Sequence, residues 1–151
     1  MKSILLVEDS RLLRLANERA LVKAGYSVVT AGDGEEALRI AYATVPDLIL
    51  LDMLLPKLGG VQVLQALRRN AHTAVIPVVV LSSLPQKNEY KLKKEGATAY
   101  FEKSQLDLGQ NSESLLNIVK KTFDGFTDPK DQGVPLVGGL SSSRFVRESQ
   151  T

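Results

Sequence analysis

Acidic residues follow two of the apolar runs in this 151-residue sequence. Residues 4–7 ("ILLV") lead into Glu8 and Asp9, and residues 47–51 ("DLILL") lead into Asp52. If the two runs are neighbouring strands of a parallel sheet, all three carboxylates lie at one edge of it. Carboxylates repel one another at short range, whereas Mg²⁺ binds oxygen ligands and neutralises their charge. The pattern therefore predicts a magnesium site.

A hydroxyl group and a lysine stand at the ends of two further apolar runs. Ser82 ends "PVVVLS" (77–82), and Lys103 comes shortly after "TAYF" (98–101). With the acids and a metal ion, these groups are the set that phosphoryl transfer requires, because its catalysis is mostly positioning and charge neutralisation. In such a site Asp52 is the expected nucleophile, and its product is an acyl phosphate.

The segments that must position these residues alternate between two patterns. Short apolar runs predict strands, and apolar residues spaced by three and four predict helices between them. Runs of this kind are typical of strands buried on both faces. The order βαβαβαβαβα indicates an α/β domain with a mainly parallel sheet, helices on both faces and a ligand site beyond the carboxyl ends of the strands. The predicted strands are 3–7, 26–31, 47–51, 77–82 and 98–101.

The predicted helices have recognisable ends. Gly25 is placed to end the first, and Asp33, with Glu36 three residues later, is placed to cap the second. Gly96 ends a fourth helix at 85–96, whose weak apolar face predicts a mobile element. The apolar faces of the other helices are Leu13, Ala16 and Ala20; Ala37, Leu38 and Ala41; Val63, Leu64 and Leu67; and Leu115, Leu116, Val119 and Phe123.

Composition narrows the classes of function. The chain has no cysteine, which excludes disulfides, thiolate metal sites and a cysteine nucleophile, and its net charge of +2 does not indicate nucleic-acid binding. The apolar run near the start is too short for a secretory signal or a membrane span, so we expect a cytoplasmic protein. Glycines, prolines and serines predict that 124–151 is a flexible tail, suited to docking on a partner but too short for an output domain, after a folded domain at 1–123.

The sequence resembles the receiver domain of bacterial two-component response regulators. The matching stretches are "LLVEDS", "PDLILLDMLLPKLGG", "VVVLSS" and "AYFEKS", and their order and spacing agree over roughly residues 1–123. The resemblance implies a doubly wound, flavodoxin-like (βα)5 sandwich of three layers with strand order 2-1-3-4-5. It also implies a phosphoacceptor regulator, which catalyses only its own phosphorylation and dephosphorylation, and not an enzyme with a separate substrate.

Roles for single residues come from the same resemblance. Asp52 is expected to accept a phosphoryl group from phosphohistidine. Mg²⁺, with Mn²⁺ as the alternative, is expected to be bound directly by Asp9 and Asp52 and through water by Glu8. The other matches are the Leu54 carbonyl as a further metal ligand, Ser82 as a hydrogen-bond donor to the phosphoryl group, Lys103 as its ion-pair partner, Tyr100 as an aromatic switch that turns inward with Ser82, and Gly60 as the glycine that opens the third helix.

The resemblance further implies signalling between proteins. The expected upstream partner is a histidine kinase or a histidine phosphotransfer protein. Phosphorylation would shift the predicted helix 85–96 and the fifth strand, and so change the face that they form with the last helix for a downstream protein target. No nucleic-acid or membrane partner is expected. A stand-alone regulator of chemotaxis, motility or a phosphorelay, acting in trans, would fit.

Some features favour other interpretations. Ser104 stands where the family usually has proline after the lysine; we expect a trans peptide there, and the change favours an alternative, a constitutive protein-interaction module with an idle receiver fold. A metal-dependent phosphoester hydrolase is disfavoured because Asp52 lacks a second acid two residues later. His72 is expected in a surface loop, and the basic stretches "RRN" (68–70) and "KLKK" (91–94) as solvated helix faces.

Overall fold

The computed structural model describes residues 1–53, 55–82, 93–102 and 113–125, with the backbone alone at positions 82 and 102. The five predicted strands are found there with bounds that differ by one residue or less. The helix predicted at 85–96 lies almost wholly outside the described residues. The elements are β1 (Ser3–Val7), α1 (Arg11–Lys23), β2 (Ser27–Ala31), α2 (Gly34–Thr44), β3 (Leu48–Asp52), α3 (Gly60–Arg69), β4 (Val78–Ser82), β5 (Ala99–Glu102) and α4 (Glu113–Phe123).

The five strands form one parallel sheet in the order β2-β1-β3-β4-β5. Val7 pairs with Leu51, and Leu51 pairs with Val80, so the carboxyl ends of the three central strands lie side by side. This is the doubly wound, flavodoxin-like fold that the sequence predicts. A parallel sheet of this kind places the residues that follow its strands at a common edge.

Both faces of the central strands are buried. Every residue of β3 is buried, as are the last four residues of β1. Because successive side chains of a strand point to opposite faces, burial of the whole run requires cover on both sides. On one face the alternate strand residues pack with the buried sides of α2 and α3, namely Ala37, Ala41, Val63, Leu64 and Leu67.

The prediction that the strands are buried on both faces is wrong for β2. Its residues alternate between exposed and partly buried, and Val29 is 42% exposed. The reason is its position, since β2 lies at the edge of the described sheet and pairs with β1 alone. A β-branched run predicts a strand, but its place in the sheet decides how much of it is covered.

Local capping follows the sequence closely. Ser10 caps α1 through a hydrogen bond from the Leu13 amide, and Gly25 follows the end of α1 with φ of 104°. Asp33 caps α2, where its carboxylate accepts from the Glu36 amide at 2.8 Å. That bond, aided by Lys57, lowers the pKa of Asp33. The returning bond of the capping box is displaced, since the Glu36 carboxylate accepts from Gly32 and not from Asp33.

The helix faces are mostly as predicted, with one shift. Val63, Leu64 and Leu67 of α3 are buried, as are Ala37 and Ala41 of α2. In α1 the fully buried positions are Asn17 and Leu21, whereas the predicted Leu13, Ala16 and Ala20 are only partly covered. A polar residue therefore lies at the centre of the face of α1 that is most buried.

Contacts divide the chain into two compact units, residues 1–116 and 117–151. The division falls inside α4, and the predicted boundary between 123 and 124 stays a prediction. The first unit contains the sheet and helices α1 to α3. Across the described ranges no helix combines the length and the apolar composition of a membrane span.

Gly34 is required by the close approach of α2 to the loop after β3. A Cβ built on it would collide with the backbone carbonyl of Leu58. We expect Gly34→Ala to lower the free energy of unfolding by about 1–3 kcal/mol, because overpacking outweighs the preference of helices for alanine, about 1 kcal/mol. Urea unfolding measures this, with the exposed Glu35→Ala as the control. A Gly34→Ala protein as stable as the wild type would show that the loop yields without cost.

Candidate functional site

Three carboxylates meet at the carboxyl edge of the sheet. Glu8 and Asp9 follow β1, and Asp52 ends β3, its neighbour in the sheet. One carboxylate oxygen from each of the three lies within 4.8 Å of the others. Glu8 and Asp52 are only 1% and 3% exposed, and Asp9 is exposed. The predicted convergence of these acids is therefore present in the fold, with one of the three open to solvent.

Hydrogen bonds hold the turn that carries Glu8 and Asp9. The Glu8 amide donates to the Ala31 carbonyl at 3.0 Å, which extends the pairing of β1 with β2 beyond the strand itself. The Ser10 amide donates to the Glu8 carboxylate at 3.1 Å. Arg14 Nη1 donates to the Glu8 carbonyl at 2.8 Å. Arg14 was not among the predicted site residues, because a contact between a helix residue and a carbonyl six positions earlier leaves no local pattern.

The backbone after Asp52 is fixed on both sides. The Met53 amide donates to the Leu81 carbonyl, and the Met53 carbonyl accepts from the Gly60 amide, both at 3.1 Å. Gly60 opens α3 as predicted, and a Cβ there would lie 2.8 Å from Met53 Cα. The glycine thus allows the first turn of α3 to pack directly on the backbone next to Asp52.

The loop between β3 and α3 contains a tight turn at Lys57. Its φ is 68°, and the Leu58 amide donates to the Pro56 carbonyl at 2.7 Å across it. A non-glycine residue in this region costs about 1–3 kcal/mol and persists only where its surroundings hold it. Lys57 Nζ lies 3.6 Å from the Asp33 carboxylate, so the cap of α2 contributes to that restraint.

The donor set fits a hard divalent cation. Three carboxylates, two of them buried, present oxygens close enough to share one ion. Mg²⁺ takes oxygen ligands and usually retains several waters, which the exposed side of Asp9 leaves room for. No sulfur or imidazole ligand belongs to the group. The chemistry of the donors therefore agrees with the predicted Mg²⁺, and it equally accepts Mn²⁺.

The other predicted site residues are covered only in part. Ser82 ends β4 beside Glu102 in register, so its backbone is at the same edge as Asp52. Tyr100 lies on β5, pairs with Val80 and is buried, 8% exposed. The Ser82 side chain, the Leu54 carbonyl, Lys103 and Ser104 lie outside the described residues, and their roles stay predictions.

Two further surface predictions can be checked. His72 is exposed in the turn after α3, as expected. Arg69 is an exposed residue of the helix face, but Arg68 is half-buried and donates four hydrogen bonds to carbonyls. The interpretation of "RRN" as a solvated face is therefore wrong for Arg68, because the chain folds back over it.

The fold defines an α/β protein of the flavodoxin-like class, and three carboxylates cluster at its topological switch point. The sequence profile described as "Response regulator receiver domain" matches residues 4–113. The chain belongs to this family of two-component signalling proteins.

Individual proteins show the same likeness. The alkaline phosphatase synthesis transcriptional regulatory protein PhoP of Bacillus subtilis is 39% identical over 103 residues, 68% of this chain and 42% of that protein. Among solved structures, chemotaxis response regulator CheY4 of Vibrio cholerae has a TM-score of 0.71 and 30% identity, covering 80% of this chain and 98% of its own. The response regulator TrrA of Thermotoga maritima, solved in complex with Mg(2+)-BeF, has a TM-score of 0.68 and 29% identity with the same coverage.

The curated relatives are longer proteins. The chain spans about a third of two of them and 42% of the Bacillus protein. Their names describe transcriptional regulators, and that description applies to those whole proteins.

Proposed function

We propose that this chain accepts a phosphoryl group on Asp52 from the phosphohistidine of a histidine kinase or of a histidine phosphotransfer protein. The observation that carries the proposal is the cluster of Glu8, Asp9 and Asp52 oxygens within 4.8 Å at the carboxyl edge of the sheet. Membership of the receiver domain family supports it, as does the solved relative with Mg(2+)-BeF.

The chemistry is an exchange of one phosphorus bond for another. A carboxylate oxygen of Asp52 attacks phosphorus, the P–O bond forms, and the P–N bond of phosphohistidine breaks. The electron pair of the P–N bond returns to the imidazole nitrogen, which takes up a proton. Asp52 is suited to this role because it ends a fully buried strand, so its position is fixed before the donor arrives.

The groups around Asp52 would offset the negative charge of the phosphoryl group. Asp9, Asp52 and, through water, Glu8 would hold Mg²⁺, with the Leu54 carbonyl as a further ligand. Bound there, the ion would neutralise part of the negative charge that attack on a phosphoryl group must overcome. Lys103 would pair with the transferred phosphoryl group, and the Ser82 hydroxyl would donate a hydrogen bond to it. Both contacts would require the phosphoryl group, so they would favour its transfer and the phosphorylated state.

The proposed effect of phosphorylation is a change in the conformation of the protein surface near β5. Recruitment of Ser82 toward the phosphoryl group would free space for Tyr100, and β5 with the segment before it would adopt a second arrangement. A downstream protein would read this change on the face predicted for 85–96, β5 and α4. We propose a cytoplasmic protein whose partners in this step are proteins and not nucleic acids or membranes.

Labelling with radioactive acetyl phosphate tests the proposal. With Mg²⁺ we expect covalent label on the wild-type protein that persists after removal of the donor, and with EDTA we expect only background. Rapid release of inorganic phosphate without accumulated label would indicate a hydrolase. No label from acetyl phosphate or from a phosphorylated kinase, in either condition, would favour the constitutive interaction module.

A further inference from the structure

Arg68 binds backbone carbonyls from two separate parts of the chain. It lies in the last turn of α3 and is half-buried. Its Nη1 donates to the carbonyls of Ile76 at 2.7 Å, Ala74 at 3.0 Å and Thr73 at 3.4 Å. Its Nε donates to the carbonyl of Gly96 at 2.9 Å. One planar guanidinium therefore joins the turn after α3 to the segment before β5.

Both parts are the entries to strands. Ile76 lies two residues before β4 begins at Val78, and Gly96 lies three residues before β5 begins at Ala99. Thr98 continues the link, since the Val78 amide donates to its hydroxyl at 3.0 Å and its own amide donates to the Val78 carbonyl at 2.8 Å. Arg68 thus sits where the amino ends of β4 and β5 are brought together.

The junction at Gly96 is closely packed. Gly96 has φ of 114°, and a Cβ built on it would lie 2.7 Å from Arg68 Cγ. The preceding residue is tied to the same helix, because Gln65 Nε2 donates to the Glu95 carboxylate at 2.9 Å. A half-buried guanidinium is costly without hydrogen-bond acceptors, so the arrangement is stable only while these carbonyls stay in place.

The predicted switch residues lie at different positions along these strands. Ser82 is the last residue of β4, at its carboxyl end, whereas Tyr100 is the second residue of β5, next to Ala99. We infer that Arg68 is a positioning residue for the phosphorylation response, holding the amino ends of β4 and β5 at a fixed separation. This inference rests on the proposed function.

The physical reason is that a displacement at one end of a strand causes a rearrangement nearby only if the other end of the strand is held in place. If the amino ends of β4 and β5 were free to move, a displacement of Ser82 at the carboxyl edge would be taken up by a shift of the whole of β4. With the amino ends of β4 and β5 held by Arg68, the same displacement of Ser82 must be met by rearrangement around Tyr100. Arg68 then sets how strongly occupancy of Asp52 is coupled to the output surface without touching the reacting atoms.

Amide hydrogen exchange measured by mass spectrometry tests this on the full chain. The probe is beryllofluoride with Mg²⁺, which imitates a phosphoryl group on a carboxylate, and the readout is the change in exchange that it causes in peptides covering β5. The test variant is Arg68→Gln. Arg69→Gln is the matched control, since it removes the same charge from the adjacent exposed position. Arg68→Lys is measured in parallel, because it keeps the charge and preserves the fold if the glutamine variant does not.

The expected result is a change in β5 exchange with beryllofluoride in the wild type and in Arg69→Gln. In Arg68→Gln and Arg68→Lys the probe should still bind, but its effect on β5 should shrink by a factor of about two to thirty. A merely structural role would speed exchange with and without the probe and leave the difference between the two intact, which would overturn the inference. Loss of probe binding in the Arg68 variants would also overturn it. A wild type that does not respond at all would contradict the proposed function itself.

Discussion

Replacing Asp52 by asparagine should reduce phosphoryl labelling to background with every donor. Asparagine has nearly the same shape, so the sheet edge and the fully buried β3 should be preserved. Its amide is a poor nucleophile because the nitrogen lone pair is delocalised, and it carries no negative charge to attack phosphorus or to bind a cation. The measurement is mass spectrometry of the intact protein and of its peptides after treatment with acetyl phosphate or a phosphorylated kinase.

Asp47→Asn is the matched control for this experiment. Asp47 precedes β3 at the opposite edge of the sheet, where its carboxylate accepts from the Ser3 amide at 2.8 Å. The same chemical change at that position should leave the rate of labelling unaltered. Labelling of Asp52→Asn at the wild-type rate would place the phosphoacceptor elsewhere, and the peptide that carries the label would identify it.

The second large effect is on stability without metal. Two charges 4.8 Å apart, the upper limit of the separations in this cluster, repel by about 1 kcal/mol in water-like surroundings and by about 3–4 kcal/mol at an effective dielectric near 20. Glu8 and Asp52 are buried, which favours the larger value, and the positive charge of Lys103, predicted at the same edge of the sheet, would offset part of it. In EDTA we therefore expect Asp52→Asn to raise the free energy of unfolding by about 1–4 kcal/mol, with Asp9→Asn in the same direction but smaller, since Asp9 is exposed.

Mg²⁺ should reduce this advantage of the variants. An ion that binds only the folded state stabilises the wild type by about 2.7 kcal/mol at a hundredfold excess over its dissociation constant, and the variants should gain less. Urea unfolding in EDTA and in excess Mg²⁺ measures both effects.

Asp47→Asn is a control for these unfolding measurements, because it is expected to change the free energy of unfolding in the opposite direction. Hydrogen bonds from the Ser3 amide and hydroxyl lower the pKa of Asp47 below its ordinary value. A lowered pKa in the folded state means that the carboxylate stabilises the fold above about pH 4 and ceases to do so as pH falls through its folded pKa. At neutral pH Asp47→Asn should therefore destabilise the protein. If Asp52→Asn and Asp9→Asn also destabilise it in EDTA, the three acids do not repel one another in a shared site.

The features of the fold that depend on residues close together in the sequence, or on the general geometry of a parallel sheet, could be predicted from the sequence. Asp33 was identifiable as a cap because a helix start needs a side-chain acceptor within three residues. The convergence of Glu8 and Asp52 was also predictable, because both follow apolar strands and parallel strands share their carboxyl edge. In each case the rule concerns a short stretch or the general geometry of a parallel sheet.

The parts that depend on which segments fold over one another could not be predicted. Arg68 is adjacent to Arg69 in a basic stretch, and nothing local shows that only one of them is covered by carbonyls up to 28 residues away. Asn17 breaks the apolar pattern of α1, although it lies on the buried side. Val29 belongs to a run that resembles the other strands, and its exposure follows from the edge position of β2 alone.

The pairing of β1 with β3 has a consequence for the protein during its synthesis. Glu8 follows β1 and Asp52 ends β3, and the contacts between these strands link positions 44 residues apart, as the bond between Ser3 and Asp47 also does. Non-local parallel pairing of this kind forms slowly, because the intervening chain must be ordered first. A nascent chain that has not yet reached β3 carries only two of the three clustered acids, Glu8 and Asp9. If the proposed function is correct, such a chain can neither bind the ion nor accept a phosphoryl group until the central strands have paired.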